Sequence, residues 1–398
     1  MSAFFTFITR NKANILFFII LPQLLLLSCT RPPLIQLDDD ETPLLRDNGS
    51  FSNLITGLEH HQKYLNKLPP DRIFKLGDLQ YSRKHLLESV EDLLSFLSSK
   101  EVSPASLAAH LRANYTFFKA GGRNKLFKPD MLITGYYEPL LKGSLIKNEK
   151  FSYPLYKIPK DLITRKIDGD VKTGRLDKSG NFFPYWSREE IEENLYLKNN
   201  ELVYLSDPFD AFSLHVQGSG KIIFPDQSVK SIRYAGSNGR QYNSIGKLLV
   251  DKNIMSLEEI SMEKIREYLT SNPDKAKEIY YHNERYIFFS WASNNNPPAG
   301  SSGVQLTPER SIAIDQKMLP AQALGFLITR TPIFNKKGEL TGWAPYSRIV
   351  LPQDSGSAIK GAGRVDLFWG NGENAKASAG IMKEEGTLYF LVKKRAEH

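Results

Sequence analysis

Residues 353–370 read QDSGSAIKGAGRVDLFWG, with Asp354 and Asp366 at the two ends of a segment made mostly of Gly, Ser, Ala and Lys. Two readings compete. Either each acid is a turn or cap residue satisfied by backbone N–H groups, or one of them is a working carboxylic acid on the floor of a cleft. Asp354 follows the apolar Arg348 to Leu351 segment and Asp366 opens the aromatic run Leu367-Phe368-Trp369, so each lies at a strand boundary. Small residues between them allow a polymer to approach the backbone closely. A third acid, Asp315 in SIAIDQKMLP (311–320), falls where another apolar strand ends. An acid held among Phe368 and Trp369 can have its pKa raised by desolvation and stay protonated near neutral pH, as a general acid must.

Working outward, the C-terminal region continues a pattern that begins after Pro129: short apolar runs broken by Gly, Pro and Asn, such as MLITGYYEPLL (131–141), FSLHVQGSGKIIFP (212–225), SVKSIRYAGSNG (228–239) and ALGFLITRTPIF (323–334). Closely spaced strands with turn signals predict barrels or sandwiches. One helical insertion is expected from about Ile245 to Asn272, entered at Ser256-Leu257-Glu258-Glu259 and left at Asn272-Pro273. Before Pro129 the pattern is helical, with Leu86, Leu87, Val90, Leu93, Leu94 and Leu97 at three- and four-residue spacing and a second helix across Ser106–Phe118. These leucines read as core.

The chain of 398 residues is long enough for two domains with their own cores, and its 41% hydrophobic and 11% aromatic content is globular. Its net charge of +8 favours an anionic partner without choosing among nucleic acid, membrane surface and acidic polymer. Residues 1–28 place Arg10 and Lys12 ahead of the apolar run Ile15–Leu27, the layout of a signal peptide, and Leu26-Leu27-Ser28-Cys29 resembles a bacterial lipobox. Cys29 is the single cysteine, so it forms no internal disulfide, and acylation there would anchor the chain to a membrane. The alternative is an uncleaved anchor with an incidental thiol. Residues 30–52 mix prolines with an acidic cluster and read as a tether.

The histidines show no metal-ligand spacing and no second Cys exists to build a zinc site, so no metal is expected. GSGK (218–221) lacks a full phosphate loop, GSNGR (236–240) lacks the strand and helix of a dinucleotide site, and there is no GxSxG elbow. No cofactor is expected, and carboxylates are what remain. An aspartic protease would need two equivalent Asp-Thr/Ser-Gly loops; only Asp354-Ser355-Gly356 fits.

GVQLTPERSIAIDQKMLP (303–320) and QDSGSAIKGAGRVDLFWGNGENAKASAG (353–380) resemble the three-aspartate barrel domain of the membrane-bound lytic murein transglycosylase A family. TGYYEP (134–139), VQGSG (216–220) and YAGSNGRQYNSIGKLL (234–249) match further family hallmarks in order, so the resemblance runs from about Thr134 to Val392. It implies a mainly β fold with an N-terminal helical part: a double-psi β-barrel domain (53–140 and 245–395, with the three-aspartate region at about 303–392) and a smaller inserted β-barrel domain (141–244), with glycan strands of peptidoglycan in the groove between them.

Carried over residue by residue, the resemblance makes Asp366 the general acid/base, Asp354 its support and Asp315 a structural third aspartate. Thr134, Tyr137 and Gln217 match substrate-groove positions; Lys360 near the acids and the aromatic faces of Tyr137 and Trp369 are further substrate-binding candidates. The implied activity is cleavage of the MurNAc–GlcNAc β-1,4 bond with a 1,6-anhydromuramoyl product, by a lipoprotein of the outer membrane facing the periplasm of a Gram-negative bacterium. Its partners would be murein strands, the membrane and other cell-wall enzymes, not nucleic acid. A peptidoglycan glycoside hydrolase and a non-enzymatic cell-wall-binding lipoprotein stay open as alternatives. Ser357 stands where the family loop usually has its second glycine, which would strain the loop if that position needs positive φ.

Overall fold

The strand Arg364–Asn371 buries Val365 and Leu367 while Arg364 and Asp366 stay half-exposed, the period of two expected where one face of a sheet lies on a core. That strand belongs to a closed barrel. The structure is a computed structural model that describes residues 32–99, 102–123, 131–257, 259–293 and 298–395. In chain order the barrel strands are β1 (Met131–Glu138), β2 (Ser311–Ala313), β3 (Leu324–Phe334), β4 (Leu340–Asp354), β5 (Arg364–Asn371) and β6 (Lys383–Lys393). Around the wall the order is β6-β3-β4-β2-β5-β1, and β1 pairs back onto β6 to close it. β2–β4 and β5–β1 are parallel and the other four pairs antiparallel. Ile133, Ile312, Phe326, Leu351, Val365, Leu367 and Phe390 fill the core.

The N-terminal helices Phe51–Asn66 and Arg83–Leu97 are started by serine caps, Ser50 and Ser82, and lay Leu54, Leu58 and Leu65 with Leu86, Val90 and Leu93 on that same core. Two sequence expectations change here. The hairpin Ile73–Leu76/Leu79–Ser82 interrupts the helical region, and the second helix is Pro104–Asn114, after which Tyr115–Ala120 pairs with β6 as a strand. Its sequence YTFFKA is rich in the aromatic and β-branched residues that suit a pleated surface.

The expected tether at 29–52 is also corrected. Leu34–Gln36 adds an outer strand to Tyr115–Ala120, and Asp47 is fully buried against Arg310, with Oδ2 2.5 Å from Nη1 and Oδ1 3.0 Å from Nη2. Asp47 also accepts from the Ile349 N–H. A charged pair taken out of water persists only with such complete hydrogen bonding, so this segment is part of the body. Cys29 and the signal-like segment lie outside the described residues.

After β1 the chain enters a second sheet, ordered Ile287–Trp291, Val229–Ser237, Ser219–Ile223, Leu140–Ser144, Glu201–Leu205, Tyr153–Tyr156, with its own core of Leu155, Val203, Leu205, Ile222, Ile232 and Phe289. FSLHVQ, read as a strand, is the end of the helix Pro208–Gln217, which Gly218 terminates in the left-handed region at φ 80°. The helices Ile245–Asp251, Met262–Ser271 and Pro273–Tyr281 pack on Phe209 and Phe212 of that helix. Ser261, not Ser256, caps the second of them, and Asn272-Pro273 opens a third helix instead of ending the region, because proline suits a first helical turn.

Glu138, at the end of β1, is 1% exposed and takes Arg233 Nη1 at 2.8 Å and Lys221 Nζ at 3.7 Å, both from the second sheet. It fastens the two sheets where the chain passes between them.

Asp47→Ala leaves the Arg310 guanidinium buried without its carboxylate. We expect a loss of about 3–5 kcal/mol in denaturant-unfolding free energy; a change under about 1 kcal/mol would show that the N-terminal segment is not held by this pair.

Candidate active site

Strand register builds the site. Ala313 on β2 pairs with Asp354 on β4 and with Asp366 on β5; Asp366 pairs with Thr134 on β1, and Thr134 with Lys383 on β6. Asp354, Ala313, Asp366 and Thr134 therefore form one row across the barrel wall, with the two acids two strand spacings, roughly 10 Å, apart at the backbone. Alanine between them leaves the row open.

The two carboxyls have different surroundings. Asp354 accepts the Tyr136 hydroxyl at 2.9 Å, the Ser301 N–H at 2.9 Å and the Ser355 N–H at 2.8 Å. Burial pushes its pKa above the usual carboxylate range, and these three donors offset that only in part. Asp366 accepts from the Thr134 hydroxyl, and no backbone N–H donates to it among the described residues. Burial, opposed by Arg364 and reinforced by the Asp354 charge, pushes it up to about 6. Of the two, Asp366 is the acid built to carry a proton near neutrality.

Asp315 stands apart: Oδ2 takes the Gly361 N–H at 2.8 Å and Oδ1 the Lys317 N–H at 3.1 Å, pinning the loop that joins the two acids. Ser357 causes no strain in that loop, since it is not among the positive-φ residues, whereas Gly361 is, at φ 80°. Lys360 projects from the loop, exposed.

The other sequence candidates separate by strand parity. Thr134 and Tyr136 share the acid's face of β1, and the Tyr136 ring lies 5.2 Å from Phe368. Tyr136 supplies the buried hydroxyl that orients Asp354. Tyr137 points to the other side, within electrostatic reach of Asp210 and Arg266. Gln217 ends the helix that carries Asp210. Trp369 is likewise on the opposite face: a Cβ on Gly135 would meet its Nε1 at 2.6 Å and the Ala379 backbone at 2.9 Å, so Gly135 makes room for the indole to pack there. Neither Tyr137 nor Trp369 is brought to the row of acids.

Facing the row is a loop from the second sheet. Asn238, 1% exposed, donates to the Trp186 and Glu284 carbonyls at 2.9 and 2.8 Å and accepts from the Tyr286 and Arg240 N–H groups at 2.9 and 3.2 Å. Gly239, at φ 76°, lets the chain turn. The loop so held brings Tyr242 into electrostatic reach of both Arg364 and Asp366, and burial raises its phenol pKa. Sequence reading did not single out Tyr242; the buried Asn and turning Gly ahead of it are the signal. No cluster of His, Cys, Asp and Glu able to hold a metal occurs among the described residues.

Residues 132–290 match the MltA specific insert domain and residues 310–392 the 3D domain. The chain belongs to the membrane-bound lytic murein transglycosylase A family. It is 31% identical over 260 residues to the Escherichia coli K12 protein of that name, covering 65% of this chain and 64% of that one. To the Vibrio cholerae protein it is 29% identical over 273 residues, covering 68% and 67% respectively. A membrane-bound lytic murein transglycosylase from Agrobacterium tumefaciens has the same fold, with a TM-score of 0.73 at 27% identity over 90% of this chain and 97% of that one. The family's 3D segment contains the whole Asp315, Asp354 and Asp366 constellation, and its insert segment contains the second sheet and the Tyr242 loop.

Titrating the Asp366 carboxyl by NMR should give an apparent pKa near 6. Asp354→Asn, which removes a like charge, should lower it, and Arg364→Gln should raise it. Because the native value lies above the unfolded one, near 4, the protein loses stability as pH rises from about 4 through about 6. Asp366→Asn should remove that loss, raising the calorimetric Tm at pH 8 but not at pH 4, by the equivalent of about 1–3 kcal/mol.

Proposed function

We propose that this protein is a lytic transglycosylase that cleaves the MurNAc–GlcNAc β-1,4 bond of peptidoglycan and leaves a 1,6-anhydromuramoyl end. The observation that carries the mechanism is the asymmetry of the two acids on one row: Asp366, pushed up to about 6 and held by one hydroxyl, can take and give a proton near neutrality, and Asp354 accepts three hydrogen bonds.

In this reading Asp366 donates its proton to the glycosidic oxygen as the bond to C1 breaks. As a carboxylate it then takes the proton of the C6 hydroxyl of the same muramoyl residue, whose oxygen attacks C1. The proton count closes on Asp366 and no water is consumed. Since the nucleophile comes from the substrate, one acid serves both steps. Thr134 holds the carboxyl on the row, and the Asp354 anion raises its pKa and opposes the positive charge that develops at C1.

We further propose the family's division of the chain, a double-psi barrel with a smaller inserted domain, and the packing supports placing the end of the insert near Trp291 instead of Ser244. Ile287–Trp291 is a strand of the second sheet, and the helices before it pack on Phe209 and Phe212. The glycan would run between barrel row and Tyr242 loop, with Tyr137, Gln217 and Lys360 at its margins. Lipidation at Cys29 would anchor the protein in the outer membrane. With Leu34 already paired in a strand, the five residue steps from Cys29 reach at most about 18 Å, so the body would sit close to the leaflet. No helix among the described residues is long and apolar enough to cross a membrane.

Residues 30–398 incubated with purified murein sacculi should release anhydromuramoyl fragments, identified by mass spectrometry, and Asp366→Asn should reduce their rate by at least about 10³-fold. Asp354→Asn should retain measurable turnover. Products heavier by one water would mean hydrolysis, and equal anhydro product from Asp366→Asn would move the acid elsewhere.

A further inference from the structure

Arg364 lies two residues before Asp366 on the same face of β5, so its Cα is about 7 Å along the strand from that of the acid. Its side chain is partly buried, yet among the described residues no carboxylate pairs with it. One donor, Nη1, reaches the Ala358 carbonyl at 3.3 Å, and Nε is buried with no hydrogen-bond partner. A guanidinium has five N–H donors and stays charged throughout the accessible pH range. Removing one from water without an ion partner is costly, and a buried unpartnered donor needs an explanation. Asp366, Tyr242 and Arg364 feel one another electrostatically, so the guanidinium shares the cleft with the acid.

Resting on the proposed reaction, we infer that Arg364 recognises the acyl oxygens of the lactyl arm on the muramoyl ring whose C1 reacts: the carboxylate of peptide-free strands, or the amide carbonyl of substituted ones. The spacing selects this group. The acid must reach the oxygen on C1, and a cation about 7 Å away along the strand lies within the span of one pyranose ring and the ether arm on its C3. The stem peptide's own carboxylates extend well beyond. The planar fork of Arg364 suits a carboxylate, and the held Nη1 presets its orientation. Arg364 is thus a specificity residue, distinguishing muramoyl units from the N-acetylglucosamine units of a chitin-like chain, which lack the arm.

The test is calorimetric titration of Asp366→Asn and of Asp366→Asn/Arg364→Gln with peptide-free (GlcNAc–MurNAc)₂, its peptide-bearing counterpart and chitotetraose. Arg364→Gln should weaken both murein oligomers, the peptide-free one by about tenfold to a hundredfold, and change chitotetraose by less than about twofold. Equal weakening of all three, or none, would overturn the inference. A loss confined to the peptide-bearing oligomer would overturn it too, by placing the recognised group on the stem. If circular dichroism shows that the Gln variant is unfolded, Arg364→Lys is read in its place: a drop confined to the murein oligomers supports the assignment and an equal drop overturns it.

Failure of the underlying reaction is read separately. Absence of anhydro product from the unsubstituted enzyme sinks the transglycosylase reading. Anhydro product formed by Arg364→Gln with unchanged kcat/KM on naked strands sinks only this inference.

Discussion

The pairing of Ala313 with Asp354 on one side and Asp366 on the other is the constraint on which the site depends. A shift of one residue in β5 would exchange its faces, sending Asp366 into the core and Val365 or Leu367 out of it. The apolar alternation of β5 thus does two things at once. It fills the barrel, and it fixes which side chains can meet a substrate. Closure of β1 onto β6 adds to this by pinning Thr134 between Asp366 and Lys383, so the hydroxyl that holds the acid sits on a strand paired on both edges. Sites carried on such paired strands keep their geometry better than sites on loops.

A second layer fixes what lies opposite. Glu138 binds the end of β1 to the second sheet through Arg233 and Lys221, and Asn238 ties down the loop that carries Tyr242. Asn238 is a buried amide with four hydrogen-bond partners, the kind of network that specifies one arrangement when satisfied, and Glu138 is a buried carboxylate set between two cations. The barrel and the second sheet are therefore joined at the end of β1. This is the preorganisation that electrostatic catalysis requires, because groups already placed need no reorganisation when charge develops.

Much of this was legible beforehand, and the failures have physical causes. The pair Asp354 and Asp366 could be found from small residues between two acids at strand ends; the unequal surroundings of the two are visible only in the structure. Strand parity was also available but unused: counting by twos from Thr134 and Asp366 selects Tyr136 and Arg364 and excludes Tyr137 and Trp369 from the row. Proline and glycine misled in the second sheet, where Pro208 starts a helix and Gly218 ends one inside a stretch that looked strand-like. Asp47 was invisible because its partner, Arg310, is more than 260 residues away, and an acidic, proline-containing segment reads as disordered until that partner is known. The Tyr242 loop was hidden for the same reason: its approach to Asp366 is tertiary.

The surroundings of Asp354 also bear on which reaction the row can run. A retaining hydrolase would need it as nucleophile, and an inverting one would need it as a base toward water. A carboxylate that accepts three hydrogen bonds has its charge dispersed over fixed donors, and is weakened for both tasks to the extent that those bonds must be lost. The same three donors suit a different duty. In the proposed reaction they would keep a negative charge in place beside a partly buried site, where it would raise the pKa of Asp366 before the bond breaks and attract the positive charge that forms at C1 as it does. Asp366, held by one hydroxyl and, among the described residues, by no backbone N–H, would be free in the proposed reaction to give up its proton and take another. A pair so divided favours chemistry in which a single acid cycles and the nucleophile arrives with the substrate.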